Sequence, residues 1–377
     1  MMFNKSLFFL VTGLLMTSHV FGANAPIKLV VTVPVADLRD GPGAAPDGVV
    51  PPALSQDLLT PGTKIGQDSQ ALMNEWLLKI DDPSVPAGWL KVEAIQQPGL
   101  VDGQWQGGVA YIQANQVKQV SRFPAFNAVV RSLWANVVRH PSDKQATEKL
   151  SLGTCVWAEP WGSYSIDGQP EQYSSVELAS GKKGLIKDSN LYVVHANVQE
   201  DLEELRSSIV DLESKLENIF YYWGGCSADK IDCSANVYLV LRAHGLLIPR
   251  NAHPQFLKAA EVAAGTDLKP GDGVYFRNTD GKRMNHELML MEEEKLVETT
   301  GRGFSSKTQT KYPETLNTCY VASKDYFGCP VAQLANDREF VLPSGPKVMY
   351  LRTFFGSDQQ VQQLRDAFLN PLKIYKW

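Results

Sequence analysis

The sequence predicts an α+β chain in which two small β-barrels precede a helix-and-strand domain organised around one cysteine. Three observations carry that prediction. From Ile27 to about Val120, short β-branched runs alternate with Gly/Pro/Asp turns, and no helical period persists beyond a brief one around Ala71–Leu78. From Asn197 to Phe220 the apolar spacing changes from two to about 3.5. From Tyr221 to Ser234 an aromatic, glycine-punctuated loop leads through a polar turn into the apolar run Ala235–Leu241, which reads as a helix.

The elements follow in order. Lys5 precedes an apolar run, Leu7–Met16, and small residues after it offer a cleavage site at Val20-Phe21-Gly22 or Ala23-Asn24-Ala25. Residues 1–25 are therefore expected to be an export signal, too short to span a bilayer by itself, and the mature protein to be exported, periplasmic or secreted. Residues 26–121 form the first unit, with strands at Leu29–Val33 and Trp89–Val92 and turns at Asp40–Gly43 and Gln97–Gly99. Short strands on tight turns hide their edges most readily by closing into a barrel. Residues 122–196 form the second unit, opened by Val129–Val138, with Gly184–Ser189 near its end. Its turn spacing is similar to that of the first, as in a divergent repeat.

Leu202, Leu205, Ile209, Leu212, Leu216 and Ile219 then recur at steps of three and four, predicting one helix from near Val198 that packs on the neighbouring domain. Asp232 is placed to cap the next helix, so Cys233 falls in its first turn. Unpaired N–H groups and the positive end of the helix dipole favour a thiolate there, which makes Cys233 a candidate nucleophile. A buried or disulfide-bonded cysteine is the alternative. That helix should end near Gly245, with Leu246–Gln255 as an extended turn and Leu268–Phe276 as a turn into a strand. His286 opens the apolar run Leu288–Met291, and Leu296–Thr300 returns as a hairpin across a charged turn. In residues 311–377 only a helix at Gln359–Phe368 suggests itself.

Composition narrows the function. The 377 residues are 44% hydrophobic and 20% charged, hence globular, with 36 basic against 41 acidic side chains. No basic stripe with interleaved aromatics stands out, which argues against a nucleic-acid partner, and no later segment reads as transmembrane. The five cysteines are an odd number for an exported protein. Pairing of Cys319 with Cys329 and of Cys155 with Cys226 would leave Cys233 free, though spacing alone does not determine connectivity. No Cys-x-x-Cys or His-x-x-x-His spacing is present, so no zinc site or other cofactor is expected.

Tyr221-x-Trp223-Gly224-Gly225, Asp232-Cys233-Ser234, Pro249-Arg250, Leu268-x-Pro270-Gly271-Asp272 and a histidine opening a strand occur in that order. Over about residues 209–300 this set resembles the NlpC/P60 cysteine peptidases of bacterial cell-wall peptides. The resemblance implies a papain-like catalytic domain at 197–310, with 311–377 as its extension. The two β-rich units resemble bacterial SH3-like barrels, through Ala36-Asp37-Leu38-Arg39 and Gly88–Val92. It further implies Cys233 as nucleophile, His286 as general base, Glu298 as the polar residue that orients it, and Tyr221 at the oxyanion hole. Ser234, Trp223, Arg250 and Asn251 would line the substrate, and Trp105 would cap the cleft. His195, His244 and His253 read as structural.

Three positions depart from the family pattern: Ala235 replaces a glycine, Glu287-Leu288-Met289 follows the histidine, and Asn251 stands where an acid binds a free substrate amine. The expected function is a monomeric exported endopeptidase that cleaves the γ-D-glutamyl–diamino acid bond of peptidoglycan stem peptides, without stable membrane insertion. A wall-binding module with a weakened site, or an amidase on the same scaffold, is the alternative.

Overall fold

The computed structural model describes residues 26–42, 66–196, 201–300, 303–304, 311–312, 317–342 and 345–377. The expected export signal lies outside the described residues. Among the described residues no helix is long and apolar enough to cross a membrane.

Alternation builds the first unit. Its seven antiparallel strands lie in the order Gln67–Leu72, Val35–Arg39, Gln104–Gln113, Trp89–Val101, Trp76–Ile80, Lys28–Val31 and Val117–Val120. Leu29, Val31, Leu38, Leu77, Val92, Ala110 and Ile112 bury one face as its core. The first and last strands of that order do not pair, so the expected closed barrel is an open sheet. Its Gln67–Leu72 edge is covered instead: Gln70 Oε1 accepts from Cys226 N (3.0 Å) in the third unit. The helical spacing at Ala71–Leu78 is also overridden. Those residues are two strands joined at Asn74, whose φ of 70° turns the chain.

The second unit does not repeat this plan. It divides into three small sheets: Trp134–Val137 with Glu148–Ser151; Cys155–Val156, Ala128–Val130 and Leu191–Val193; and Ala158–Ile166, Gln169–Glu177 and Lys183–Lys187.

The third unit begins with α1 (Leu202–Ser214), where Asp201 accepts from the N–H groups of Glu203 and Glu204. Helix α1 is shorter than the period that predicted it, because Leu216 and Ile219 stay buried in a turn rather than in the helix. Helix α2 (Cys233–Arg242) starts where expected, with the Asp232 carboxylate accepting from Ala235 N. Helix α3 (Ala252–Lys258) replaces the second half of the expected extended turn. Helices α4 (Ser323–Tyr326) and α5 (Asp358–Leu369) follow.

A ten-stranded sheet supports these helices. It runs Cys226–Ser227, Lys230–Ile231, Phe220–Tyr221, Asn317–Ala322, Lys295–Thr300, His286–Glu292, Gly273–Asn278, Gly345–Thr353 and Ala260–Glu261, and Arg338–Leu342 also pairs with Gly345–Thr353. Residues beyond 311 thus supply interior strands of the sheet, which no local pattern announced.

One core joins the three units: Leu72, Ile95, Val129 and Leu152 pack with Leu205 and Ile209 of α1, Tyr238 and Leu239 of α2, and Leu364 and Phe368 of α5. At its centre the fully buried Arg242 forms an ion pair with Glu75 of the first unit (3.0 Å). Arg242 also donates to Gly153 O of the second unit (2.7 Å) and to the Tyr238 hydroxyl.

All five cysteines are free. The expected pairs fail because each thiol has a separate environment. Cys155 Sγ accepts from Gln96 and Arg242, Cys226 sits in the short strand against the first unit, and Cys319 faces Glu298 while Cys329 lies in an apolar cluster.

Candidate active site

The loop before Cys233 is fixed from three sides. A side chain at Gly224, with φ of 71°, would meet Gln67 Cγ at 2.8 Å and the Asp68 carbonyl carbon at 3.0 Å. One at Gly225 would meet Lys230 O at 2.7 Å, so the Trp-Gly-Gly sequence is required by close approach to the first unit and to the next strand. Asp232 then holds the turn, its two oxygens taking bonds from Gly224 N (3.0 Å) and Ala235 N (2.8 Å).

Arg250 completes this frame. Its Nε donates to Ser69 Oγ, Nη1 to Asp232 Oδ1 and Ser234 Oγ, and Nη2 to Asp232 Oδ2 and Gly225 O, all within 3.1 Å. These contacts occupy all five guanidinium donors of a buried side chain. Arg250 and Ser234, expected at the substrate, are therefore committed inward. They tie the cysteine loop to the first unit.

Helix α2 packs on the strands His286–Glu292 and Lys295–Thr300. Across those strands His286 Nε2 lies 2.7 Å from Glu298 Oε1, and the Tyr326 hydroxyl donates to the same oxygen at 2.7 Å. Burial, then Glu298, hold the Tyr326 phenol well above its ordinary value, and a charge on Cys233 would add to that effect. The sulfur therefore shares the electrostatic environment of the His286–Glu298–Tyr326 cluster. The sequence expectations identified His286 and Glu298 as partners. They missed Tyr326, which lies 28 positions beyond Glu298 and whose short helix carries no motif.

The thiol itself differs from expectation. Cys233 is half-buried at the start of α2, yet its thiol is pushed well above the ordinary range. Desolvation is the main cause, reinforced by the carboxylates of Asp232 and Glu287; the Ser234 N–H and Arg250 oppose it. The helix start alone does not make this sulfur anionic. Glu287, next to the histidine, is itself buried, and burial holds its carboxyl well above the usual range.

The remaining expected residues lie as follows. Tyr221 is buried in the short strand Phe220–Tyr221, while Trp223 is 59% exposed. Asn251 is exposed at the start of α3 and makes no capping bond with its side chain. Trp105 packs edge-on against Trp377 (ring centroids 5.5 Å apart), and Lys258 Nζ of α3 lies 4.2 Å from the Trp377 ring centre. The sequence offered no sign that Trp377 would meet Trp105. His244, expected to be structural, is buried with Nδ1 on Val240 O and Nε2 on Ser208 Oγ. Among the described residues no cluster of three or more His, Cys, Asp or Glu side chains could hold a metal ion.

A cysteine at the start of a helix that packs on two strands, and a His–carboxylate pair carried across those strands, are the parts from which a cysteine-hydrolase site is built. Residues 219–321 match the NlpC/P60 family, and the chain carries an NlpC/P60 domain over that stretch. The chain is 39% identical over 70 residues to a gamma-D-glutamyl-L-lysine dipeptidyl-peptidase of Bacillus subtilis, covering 19% of this chain and 23% of that protein. It is 31% identical over 100 residues to a gamma-DL-glutamyl hydrolase of the same organism, covering 26% of this chain and 24% of that one. The matches thus span about a quarter of these relatives' lengths. An NlpC/P60 family protein from Bacillus cereus shares the fold more widely. It superposes with a TM-score of 0.60 at 19% identity, covering 78% of this chain and 94% of that one.

Proposed function

We propose that the protein is an exported cysteine endopeptidase acting on the γ-D-glutamyl–diamino acid bond of peptidoglycan stem peptides. The observation that carries this reading is the 2.7 Å contact between His286 and Glu298, on strands against which the Cys233 helix packs. With Nε2 engaged by Glu298, Nδ1 is the imidazole nitrogen free to take the thiol proton. Cys233 Sγ attacks the amide carbonyl carbon as its proton passes to His286, and the tetrahedral oxyanion is held by the Cys233 N–H and the Tyr221 hydroxyl. His286 then protonates the leaving amine, and water hydrolyses the thioester by the reverse proton path. Because burial, Asp232 and Glu287 oppose a free thiolate, ionisation of the sulfur is coupled to formation of the imidazolium.

The names of the curated relatives support the γ-glutamyl bond as the target class. Trp223 and Asn251, both exposed beside the cysteine frame, are the candidate substrate contacts, with Trp105 at the seam to the first unit. The two β-rich units would bound the cleft, in the role of SH3-like domains. Incubation with defined muropeptides, followed by mass spectrometry, tests the reading. The wild type should release the N-terminal dipeptide and Cys233→Ala should release none; undiminished cleavage by Cys233→Ala would dispose of it.

A second reading, a wall-binding protein with a weakened site, is favoured by one observation: the raised Cys233 thiol beside the buried Glu287. A thiol-reactive probe separates the two. Labelling of Cys233 at neutral pH no faster than free cysteine, with no product from any muropeptide, favours the binding protein.

A further inference from the structure

Behind the site, on the side of α2 away from the first unit's frame, four elements meet through polar side chains that are all buried. Glu213 of α1 is fully enclosed, and its Oε1 accepts from Asn236 Nδ2 at 2.8 Å. Asn236 lies one helical turn after Cys233, so it shares that residue's side of α2. The same amide nitrogen donates to Thr299 Oγ1 at 2.6 Å, and Thr299 follows Glu298 in its strand. Thr299 in turn meets Thr318 Oγ1 at 2.9 Å.

Two buried atoms of this cluster have no partner: Glu213 Oε2 and Asn236 Oδ1. Both are acceptors when the glutamate is ionised, and a buried acceptor without a donor is costly. A proton on Glu213 supplies the missing donor and satisfies both atoms together. We propose that Glu213 works as a neutral carboxylic acid, giving its Oε2–H to Asn236 Oδ1 while Oε1 accepts from Asn236 Nδ2. This cyclic acid–amide pair is the positioning element that fixes the cysteine helix against the strand bearing Glu298.

The surroundings favour the neutral form. Burial pushes the Glu213 carboxyl up to about 7, with only the Asn236 donor opposing. Helix α2 faces it with Asn236, and the strand Lys295–Thr300 with Thr299. The strand Asn317–Ala322 adds Thr318 and the Tyr320 phenol, which burial and then the carboxylates of Glu217, Glu213 and Glu292 hold above its ordinary value. Lys295 Nζ lies 3.9 Å from the centre of the Tyr320 ring. Loss of the Glu213 proton leaves a charge in this enclosure and turns two lone pairs toward each other. The helix is then held less firmly against the Glu298 strand.

The inference rests on the peptidase reading only for what the helix carries, so two of its three measurements need no substrate. Glu213→Gln preserves the pair without a titratable group, because its amide both donates to Asn236 Oδ1 and accepts from Asn236 Nδ2. Glu213→Ala removes the pair. Melting temperature and the rate of Cys233 alkylation by iodoacetamide are measured from about pH 5 to about pH 8.5 for the full chain and both variants, alongside muropeptide hydrolysis. Glu213→Gln should lie nearest the wild type at the acid end, pull ahead of it as pH rises, and melt several degrees higher above about pH 7. Its alkylation and hydrolysis profiles should lack a wild-type ionisation near 7, while Glu213→Ala should melt below both throughout. Superimposable wild-type and Gln profiles, or a Gln variant as impaired as Ala, would overturn the assignment. Absence of hydrolysis by the wild type would count against the peptidase reading and leave the melting and alkylation results to decide this one.

Discussion

Replacing Glu75 by alanine isolates what the junction of the three units contributes. Glu75 and Arg242 are 1% and 0% exposed at their side chains, and 3.0 Å separates Oε1 from Nη1. Deleting the carboxylate leaves Arg242 with Gly153 O, the Tyr238 hydroxyl and Cys155 Sγ as partners, all uncharged acceptors. Breaking a buried pair from one side costs about 3–5 kcal/mol, because the remaining charge is left without compensation. Gln97 Nε2 also loses its bond to Glu75 Oε2 (3.0 Å), although its bond to Gln70 O (2.7 Å) remains. That adds about 1 kcal/mol. Urea unfolding followed by tryptophan fluorescence should therefore show Glu75→Ala destabilised by about 4–6 kcal/mol. The double variant Glu75→Leu/Arg242→Met should recover most of that loss, since apolar residues of similar volume carry no desolvation penalty. A single variant that loses less than about 1 kcal/mol would refute the view that this pair is a dry junction.

Four further outcomes are expected. Glu298→Gln should lower kcat by about 10²–10⁴-fold with little change in KM, because the imidazolium loses its counter-charge. Tyr326→Phe removes a hydrogen bond to that carboxylate, worth about 1.5–3 kcal/mol, and should reduce kcat by roughly tenfold or more in the same steady-state assay. Gly224→Ala, at φ of 71° against Gln67 and Asp68, should lower the melting temperature and slow hydrolysis together. The stability of the wild type should depend on pH through Glu213. Its carboxyl titrates near 7 when folded and near 4.3 when unfolded, so folding binds a proton between those values. That contribution is complete below about pH 4.3, declines by about 1.4 kcal/mol per unit up to about pH 7 and is absent above it. Denaturant titrations at several pH values, with Glu213→Gln as reference, measure it directly.

The sequence by itself determined the local parts of this protein. Asp232 capping Cys233, the loop glycines, the strand opening at His286 and the hairpin that returns Glu298 opposite Leu288 all depend on contacts a few residues apart. That is why the hairpin pattern was legible, while the pairing of His286 with Glu298 came from the family resemblance. Tertiary structure decided whatever depends on groups distant in the chain. It committed all five donors of Arg250 to the cysteine frame and brought Tyr326 to Glu298. It left the first sheet open, because a neighbouring unit covers the edge that closure would have hidden. It also raised the Cys233 thiol against the pull of its helix. A dipole follows from the order of residues, but desolvation depends on how much protein closes around the sulfur, and Glu287 and its neighbours arrive there only through the completed fold.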